Sequence, residues 1–167
     1  MKQAAIGILF SRDFFSVLLI KRRDVPIWVL PGGGIEDNET PDSACAREVL
    51  EETGLTVTCT RKVGTYLPIN RLASPTHVYE CTSNDTHEVL IPQTESEKVQ
   101  FWPLNALPDT LFFVHKNWID QALKKTDMPV VKMLDEMTYL KALTLILQHP
   151  ILSFRYLLAR LGCPINL

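Results

Sequence analysis

The 167-residue sequence has little that would attract a nucleic-acid backbone. Lysine and arginine total 17 against 19 aspartates and glutamates, which gives a formal net charge of −2. Binding to duplex nucleic acid requires a concentrated basic surface, so we expect no such partner. The sequence also lacks internal repeats and low-complexity tracts. Hydrophobic residues make up 46% and charged residues 22%, which excludes a disordered protein and predicts a folded globular one.

Cysteine does not occur in the patterns that are typical of zinc sites or disulfide frameworks. The four cysteines are Cys45, Cys59, Cys81 and Cys163. They include no CxxC pair and no histidine at a spacing suited to zinc, so we predict reduced thiols in the core. The apolar stretch at residues 4–10 is short and is followed by charged residues, unlike a secretory signal. These features predict a cytoplasmic protein.

The apolar pattern predicts an α/β domain at residues 1–128. Strands are predicted at residues 3–10, 14–21, 28–30, 55–66, 76–81 and 98–102, and helices at residues 41–53 and 111–124. We expect the first two strands to form a hairpin, and the strand at residues 28–30 to end at the turn Pro31–Gly34. Thr40 is the predicted N-cap of the first helix, Pro41 its first residue and Gly54 its C-terminal glycine.

Residues 129–167 are predicted to form a helical C-terminal extension. Two helices, Lys132–Gln148 and Ile151–Leu161, are separated by Pro150 and carry wide apolar surfaces. Charged residues and the proline interrupt these surfaces, which argues against a transmembrane segment. Three places for the helices stay open: against the domain as added core, at a homodimer interface, or on a membrane surface.

The strongest chemical pattern lies between Gly32 and Leu55. The predicted helix places Glu48, Glu51 and Glu52 at positions i, i+3 and i+4, so three carboxylates share one face. Like charges at this spacing repel, whereas a hard divalent cation such as Mg²⁺ or Mn²⁺ binds carboxylates together with substrate phosphates. The neighbouring Arg47 can hold a carboxylate or contact a phosphate. The glycines upstream allow close approach of the backbone and can offer carbonyls to a metal or amides to a phosphate.

These residues resemble the complete Nudix box. The matching pattern is Gly33, five residues, Glu39, seven residues, Arg47-Glu48-Val49, one residue, Glu51-Glu52, one residue, Gly54-Leu55. The order of strands up to about residue 124 is also similar to the Nudix fold. The resemblance implies a mixed β-sheet between α-helices, with the box forming a loop–helix–loop that binds metal. It further implies a hydrolase that cleaves a phosphoanhydride in a nucleoside diphosphate linked to another moiety, with water attacking phosphorus.

The resemblance also implies roles for individual residues. The implied metal ligands are Glu48, Glu51, Glu52 and the carbonyl of Gly32. The implied supports of the box loop are Gly33, Glu39 and Gly54, and Arg47 would orient a glutamate. The general base would be Glu48, Glu51 or Glu97, with Glu95 as a further candidate. The implied cofactor is Mg²⁺ or Mn²⁺, and the implied partner is a small-molecule nucleotide.

Candidate contacts to the substrate come from outside the box. Arg22 and Arg23 end a predicted strand that leads toward the box, and either can contact a phosphate or simply face solvent. Trp28 and Tyr66 can stack on a base or belong to the core. A second function also stays open, a Nudix-fold module that senses nucleotides without cutting them. Because every box glutamate is present, the sequence favours the enzyme.

Overall fold

The computed structural model describes residues 2–84, 90–92, 96–151 and 153–154. The strands are β1 (Ala4–Leu9), β2 (Ser16–Arg22), β3 (Trp28–Val29), β4 (Gly32–Gly34), β5 (Val57–Pro68), β6 (Thr76–Ser83), β7 (Ser96–Pro103) and β8 (Val130–Leu134). The helices are α1 (Pro41–Thr53), α2 (Phe113–Leu123) and α3 (Tyr139–Gln148).

The strands form a mixed sheet and a smaller antiparallel one. The larger sheet has the order β4-β1-β6-β5-β8, in which β1 runs parallel to β6 and β5 runs parallel to β8. The smaller sheet has the order β3-β2-β7. The predicted mixed sheet is therefore confirmed.

Successive side chains of β1 enter opposite sides of the larger sheet. Ala5 and Leu9 join an apolar cluster with Ala44 and Val49 of α1. The alternate residue Ile8 joins a second cluster that includes side chains of α2. Because a strand has a side-chain period of two, one apolar run supplies both clusters. The sheet thus lies between α1 and α2, and its buried core holds α1 in place.

The predicted hairpin of β1 and β2 is wrong. The two strands belong to different sheets and share only the isolated bridge between Phe10 and Val17 among the residues described. Both strands are almost fully buried, and a continuous apolar run does not reveal which strand lies beside it. The turn predicted at Pro31–Gly34 also needs correction, because Gly32–Gly34 forms β4 and pairs antiparallel with β1.

The predicted helix Lys132–Gln148 is wrong over its first residues. Val130–Leu134 forms β8, which pairs with β5 from Gly64 to Pro68. The β-branched residues at 130 and 131 favour a strand over a helix. The sheet therefore includes residues on both sides of position 128, and the division of the chain there stays a prediction. Residues of the helix predicted at 151–161 that follow Phe154 lie outside the described residues.

The apolar side chains of α3 do not enlarge the core. No side chain of this helix is buried, and Leu140 and Leu147 are 74% and 72% exposed. The expectation of added core is therefore wrong for α3, while a homodimer interface and contact with a membrane surface stay predictions. In the described part of the chain, no helix is long and apolar enough to cross a membrane.

Candidate functional site

The helix α1 carries the acidic pattern and has the predicted bounds. Thr40 is its N-cap, and the side-chain oxygen accepts a hydrogen bond from the backbone N–H of Ser43. Pro41 is the first helical residue. At the other end Gly54 adopts a left-handed backbone with φ of 78°, and its N–H donates to the carbonyl of Leu50 at 2.8 Å. These local signals place the glutamates of the helix at fixed positions beside β4.

Arg47 connects the acidic side chains of α1 to the loop before the helix. Its Nη1 donates to Glu48 Oε1 at 2.9 Å and to Glu51 Oε2 at 3.1 Å. Its Nε and Nη2 each donate to one carboxylate oxygen of Glu39 at 2.9 Å, a bidentate pair. Nη2 also donates to the carbonyl of Gly34 at 2.9 Å. Arg47 therefore fixes three carboxylates and the last residue of β4 relative to one another.

These contacts also stabilise the charged forms of the groups involved. Hydrogen bonds from Arg47 hold the pKa of the Glu39 carboxyl below its usual value. The hydrogen bonds to Glu39, followed by those to Glu48, raise the pKa of Arg47 above its usual value. Because a hydrogen bond to an ionised group favours ionisation, Arg47 and Glu39 keep their charges at neutral pH.

The glycine strand β4 lies directly against two of the glutamates. Glu52 Oε2 accepts a hydrogen bond from the backbone N–H of Gly32 at 2.7 Å. A Cβ on Gly33 would lie 2.5 Å from Glu48 Oε2, so a larger residue would displace that carboxylate. Gly32 has φ of 149°, and a Cβ there would overlap the carbonyl oxygen of Ala5. Gly33 is therefore required for the close approach of β4 to Glu48, and Gly32 for the close approach of β4 to β1.

The start of β7 lies against the end of α1. Ser96 Oγ donates to the carbonyl of Glu52 at 3.0 Å, and Arg23 Nη2 donates to the carbonyl of Ser96 at 3.3 Å. The next residue, Glu97, forms an ion pair with Lys21 at 3.1 Å. The structure therefore brings Glu97 and Arg23 to the end of the helix that carries Glu52. The Ser96 contact could not be predicted from the sequence, because a bond between distant segments leaves no local pattern.

Arg22 and Glu95 are two further residues that the sequence analysis places in the site. Arg22 Nε donates to Asp24 Oδ1 at 2.8 Å, so its guanidinium is held by a carboxylate two residues further along. Glu95, the further candidate for the general base, lies outside the described residues. The hydrogen bond of Arg22 to Asp24 does not add Arg22 to the group around Arg47.

The two aromatic candidates for base stacking lie in the core. Trp28 is 7% exposed and meets Trp102 edge-on, with ring centroids 5.2 Å apart. Tyr66 is 5% exposed and packs against Trp118 with ring centroids 5.3 Å apart. Burial raises the pKa of Tyr66 to about 12. Stacking on a base would require either ring to leave these contacts, so packing accounts for both side chains.

A buried histidine supports the segment that leads into β4. His115 Nδ1 accepts a hydrogen bond from the backbone N–H of Leu30 at 2.8 Å, and its ring stacks on Trp118. Burial lowers the pKa of His115 to about 3. The imidazole is therefore neutral at physiological pH, which leaves Nδ1 able to accept the hydrogen bond.

We expect His115 to make stability depend on pH. Its pKa is lower in the folded chain than the unfolded value of about 6.5, so the unfolded chain binds an extra proton between pH 6.5 and 3. The free energy of unfolding should fall by about 1.4 kcal/mol for each pH unit below 6.5 on this account. Urea denaturation of the wild type and His115→Asn from pH 7.5 to 5 measures this. The prediction would be contradicted if the free energy of unfolding changed with pH by the same amount in the wild type and in the variant.

The chain is similar to known proteins. A family model described as NUDIX domain matches residues 1–122. The chain is 37% identical over 108 residues to a MutT-like protein of Streptomyces ambofaciens, covering 59% of this chain and 70% of that protein. It is 48% identical over 59 residues to a Bacillus subtilis (strain 168) protein named "Putative 8-oxo-dGTP diphosphatase". That match covers 35% of this chain and 40% of the Bacillus protein, so it spans less than half of that relative.

The fold is also similar to a solved structure. The crystal structure of a NUDIX hydrolase from Nitrosomonas europaea superposes with a TM-score of 0.69, at 22% sequence identity. The match covers 80% of this chain and 78% of that one. At this identity the likeness shows a common fold, which includes the mixed sheet and the helices around it.

Proposed function

The chain belongs to the Nudix hydrolase family, and on that premise we propose that it hydrolyses a phosphoanhydride in a nucleoside diphosphate linked to another moiety. Water attacks phosphorus in the proposed reaction, and a divalent cation is required. One observation carries the proposal: Arg47 holds the carboxylates of Glu48 and Glu51 on the face of α1 where β4 holds Glu52. Three carboxylates and a glycine strand at one place suit a polyphosphate that arrives with a metal ion.

The donor set around Arg47 fits a hard divalent cation. One guanidinium contacts three carboxylates, those of Glu39, Glu48 and Glu51, so negative charge is in excess in this group. Oxygen donors are the ligands that Mg²⁺ and Mn²⁺ prefer. We assign the ligand set to Glu48, Glu51, Glu52 and the carbonyl of Gly32. When bound, the cation supplies neutralisation of phosphate charge and a lower pKa for bound water.

The other residues of the site position these groups and move a proton. Arg47 orients Glu48 and Glu51, and Glu39 holds Arg47 through its bidentate pair. Glu97 lies outside the contacts of Arg47, at the Glu52 end of the helix, and is paired with Lys21. In the proposal, the Glu97 carboxylate or a box glutamate accepts the proton of the attacking water.

The proposed substrate is a small-molecule nucleotide, either a nucleoside triphosphate or a nucleotide sugar. Arg23 is the stronger candidate for a phosphate contact, because its bond to Ser96 places it beside the end of α1. Arg22 is a weaker one, because Asp24 already accepts from its guanidinium. The cytoplasmic location stays a prediction.

A panel of nucleotides tests the proposed function. The chain is incubated with Mg²⁺ and nucleoside triphosphates, oxidised nucleotides, nucleotide sugars, ADP-ribose, dinucleoside polyphosphates or capped RNA, and the products are separated by anion exchange. We expect at least one nucleotide to yield two phosphate-containing products or pyrophosphate. Tight binding without any product across the whole panel would contradict the enzyme and favour the nucleotide-sensing module.

A further inference from the structure

Three cysteines from separate segments meet between α1 and the larger sheet. Cys45 lies on α1, Cys59 on β5 and Cys81 on β6. The Sγ of Cys81 lies 3.7 Å from that of Cys45 and 3.6 Å from that of Cys59. All three sulfurs lie within 4.8 Å of one another. Of the cysteines predicted to lie in the core as reduced thiols, Cys45 and Cys81 are buried and Cys59 is partly exposed. Cys163 lies outside the described residues.

The fold accounts for this meeting. Cys59 and Cys81 are directly opposite each other in the antiparallel pair of β5 and β6, so their side chains leave the same face of the sheet. Cys45 lies on the buried side of α1 that packs on this face. Cys45 and Cys81 are buried, whereas Cys59 is partly exposed. A small ion therefore reaches the group from the side of Cys59.

We propose that Cys45, Cys59 and Cys81 bind a soft metal cation with a filled d shell, Zn²⁺ or Cu⁺. Thiolate sulfur is the donor that such cations select. A tetrahedral zinc ion with Zn–S bonds of about 2.3 Å holds its sulfurs about 3.8 Å apart. The sulfurs of Cys45 and Cys59 already lie 3.7 and 3.6 Å from that of Cys81. The site therefore needs only small side-chain movements to coordinate the ion.

Cu⁺ and Zn²⁺ differ in the number of ligands that each takes. Among the described residues, no other cysteine, histidine or carboxylate joins the three sulfurs. Cu⁺ is satisfied by three sulfur ligands in a plane. Zn²⁺ takes four, and water reaching the group beside Cys59 would complete its set.

The protons of the thiols have to be accounted for as well. Thiolate is the form of cysteine that binds a metal, so coordination by three cysteines releases their protons. Affinity for the cation should therefore rise with pH.

A cation at this position would join α1 to β5 and β6, two inner strands of the larger sheet. Cys45 precedes Arg47 by two residues, so the same helix would be fixed on its buried side by the metal and on its other side by the acidic cluster. Because the three sulfurs come together only in the folded chain, binding should raise the melting temperature. The proposal does not depend on the hydrolysis of any nucleotide.

The test uses the full-length chain, reduced and free of metal, with Mg²⁺ in excess to occupy carboxylate sites. Zn²⁺, and Cu⁺ under anaerobic conditions, are titrated separately in competition with a chromophoric chelator. We expect each chain to bind one equivalent of at least one of the two ions. In Cys59→Ser we expect the affinity for that ion to fall by more than about 100-fold, which is more than the loss of an outer-shell contact causes. Cys59 is chosen because its partial exposure makes the variant the least disruptive, and circular dichroism melts show whether it is folded.

Two variants and a second readout complete the test. Cys163→Ser is the matched control for loss of a thiol, and Glu52→Gln is the control for loss of a carboxylate, and both should keep the wild-type affinity. Cd²⁺ provides a direct signature, because its bonds to thiolate add an ultraviolet charge-transfer band. Binding of either ion that needs Cys59, together with the cadmium band, supports the proposal. Failure of both ions to bind the wild type, equal affinity in Cys59→Ser, or absence of the band would overturn it.

Discussion

Replacing Glu52 or Glu48 by glutamine is expected to lower kcat by about three orders of magnitude while the chain stays folded. Glutamine has the size and shape of glutamate but carries no charge, so it is a poor ligand for a hard cation. The carbonyl oxygen of glutamine at position 52 can still accept the hydrogen bond that Gly32 now donates to Glu52. The variant therefore removes the charge and keeps the contact that positions β4.

Stability gives the second readout of these variants. Like charges at i and i+4 on a helix repel by a few tenths of a kcal/mol, so Glu52→Gln should leave the melting temperature unchanged or slightly raised. Glu36→Gln is the matched control, because Glu36 is an exposed carboxylate outside the helix and should keep the wild-type kcat. If Glu48→Gln and Glu52→Gln unfolded but retained specific activity, the glutamates would be structural and the proposed mechanism wrong.

The helix that carries these glutamates could be predicted from the sequence because its signals are local. A threonine N-cap, a proline in the first turn and a glycine at the end act within a few residues of the helix, and the structure shows each in that role. The spacing of Glu48, Glu51 and Glu52 then follows from the helical repeat alone. The resemblance to the Nudix box depends on this same short segment, whereas the family model matches residues 1–122.

Pairing between distant segments could not be predicted in the same way. β1 and β2 follow each other in the chain and are equally apolar, yet β1 pairs with β4 and β6 while β2 pairs with β3 and β7. β8 completes an edge of the sheet beside β5, although leucines further along at helical spacing favoured a helix there. In both cases the neighbour is decided by the packing of the whole sheet, which the local pattern does not contain.

The candidate site also contains residues that a local pattern predicts and residues that only the pairing of distant segments brings in. Its acidic helix and glycine strand come from one segment of about 20 residues, whereas Glu97 belongs to β7, whose first residue, Ser96, bonds to the carbonyl of Glu52. The cysteine cluster is a still clearer case, since it depends on the register that places Cys59 opposite Cys81. Residues that meet through sheet register carry no sequence spacing that identifies them.

Removal of divalent cations is expected to abolish hydrolysis. The three carboxylates of α1 repel a polyphosphate unless a cation neutralises the negative charge of the carboxylates and of the phosphates. Turnover in excess EDTA should therefore fall to the rate of the reaction without enzyme. Readdition of millimolar Mg²⁺ or Mn²⁺ should restore it, as measured by release of the phosphate-containing product. EDTA would also remove a soft ion from the cysteine cluster, so restoration by Mg²⁺ alone assigns the loss to the carboxylates. Full turnover in excess EDTA would contradict the metal requirement, and restoration by Zn²⁺ but not by Mg²⁺ or Mn²⁺ would contradict a hard-cation site on α1.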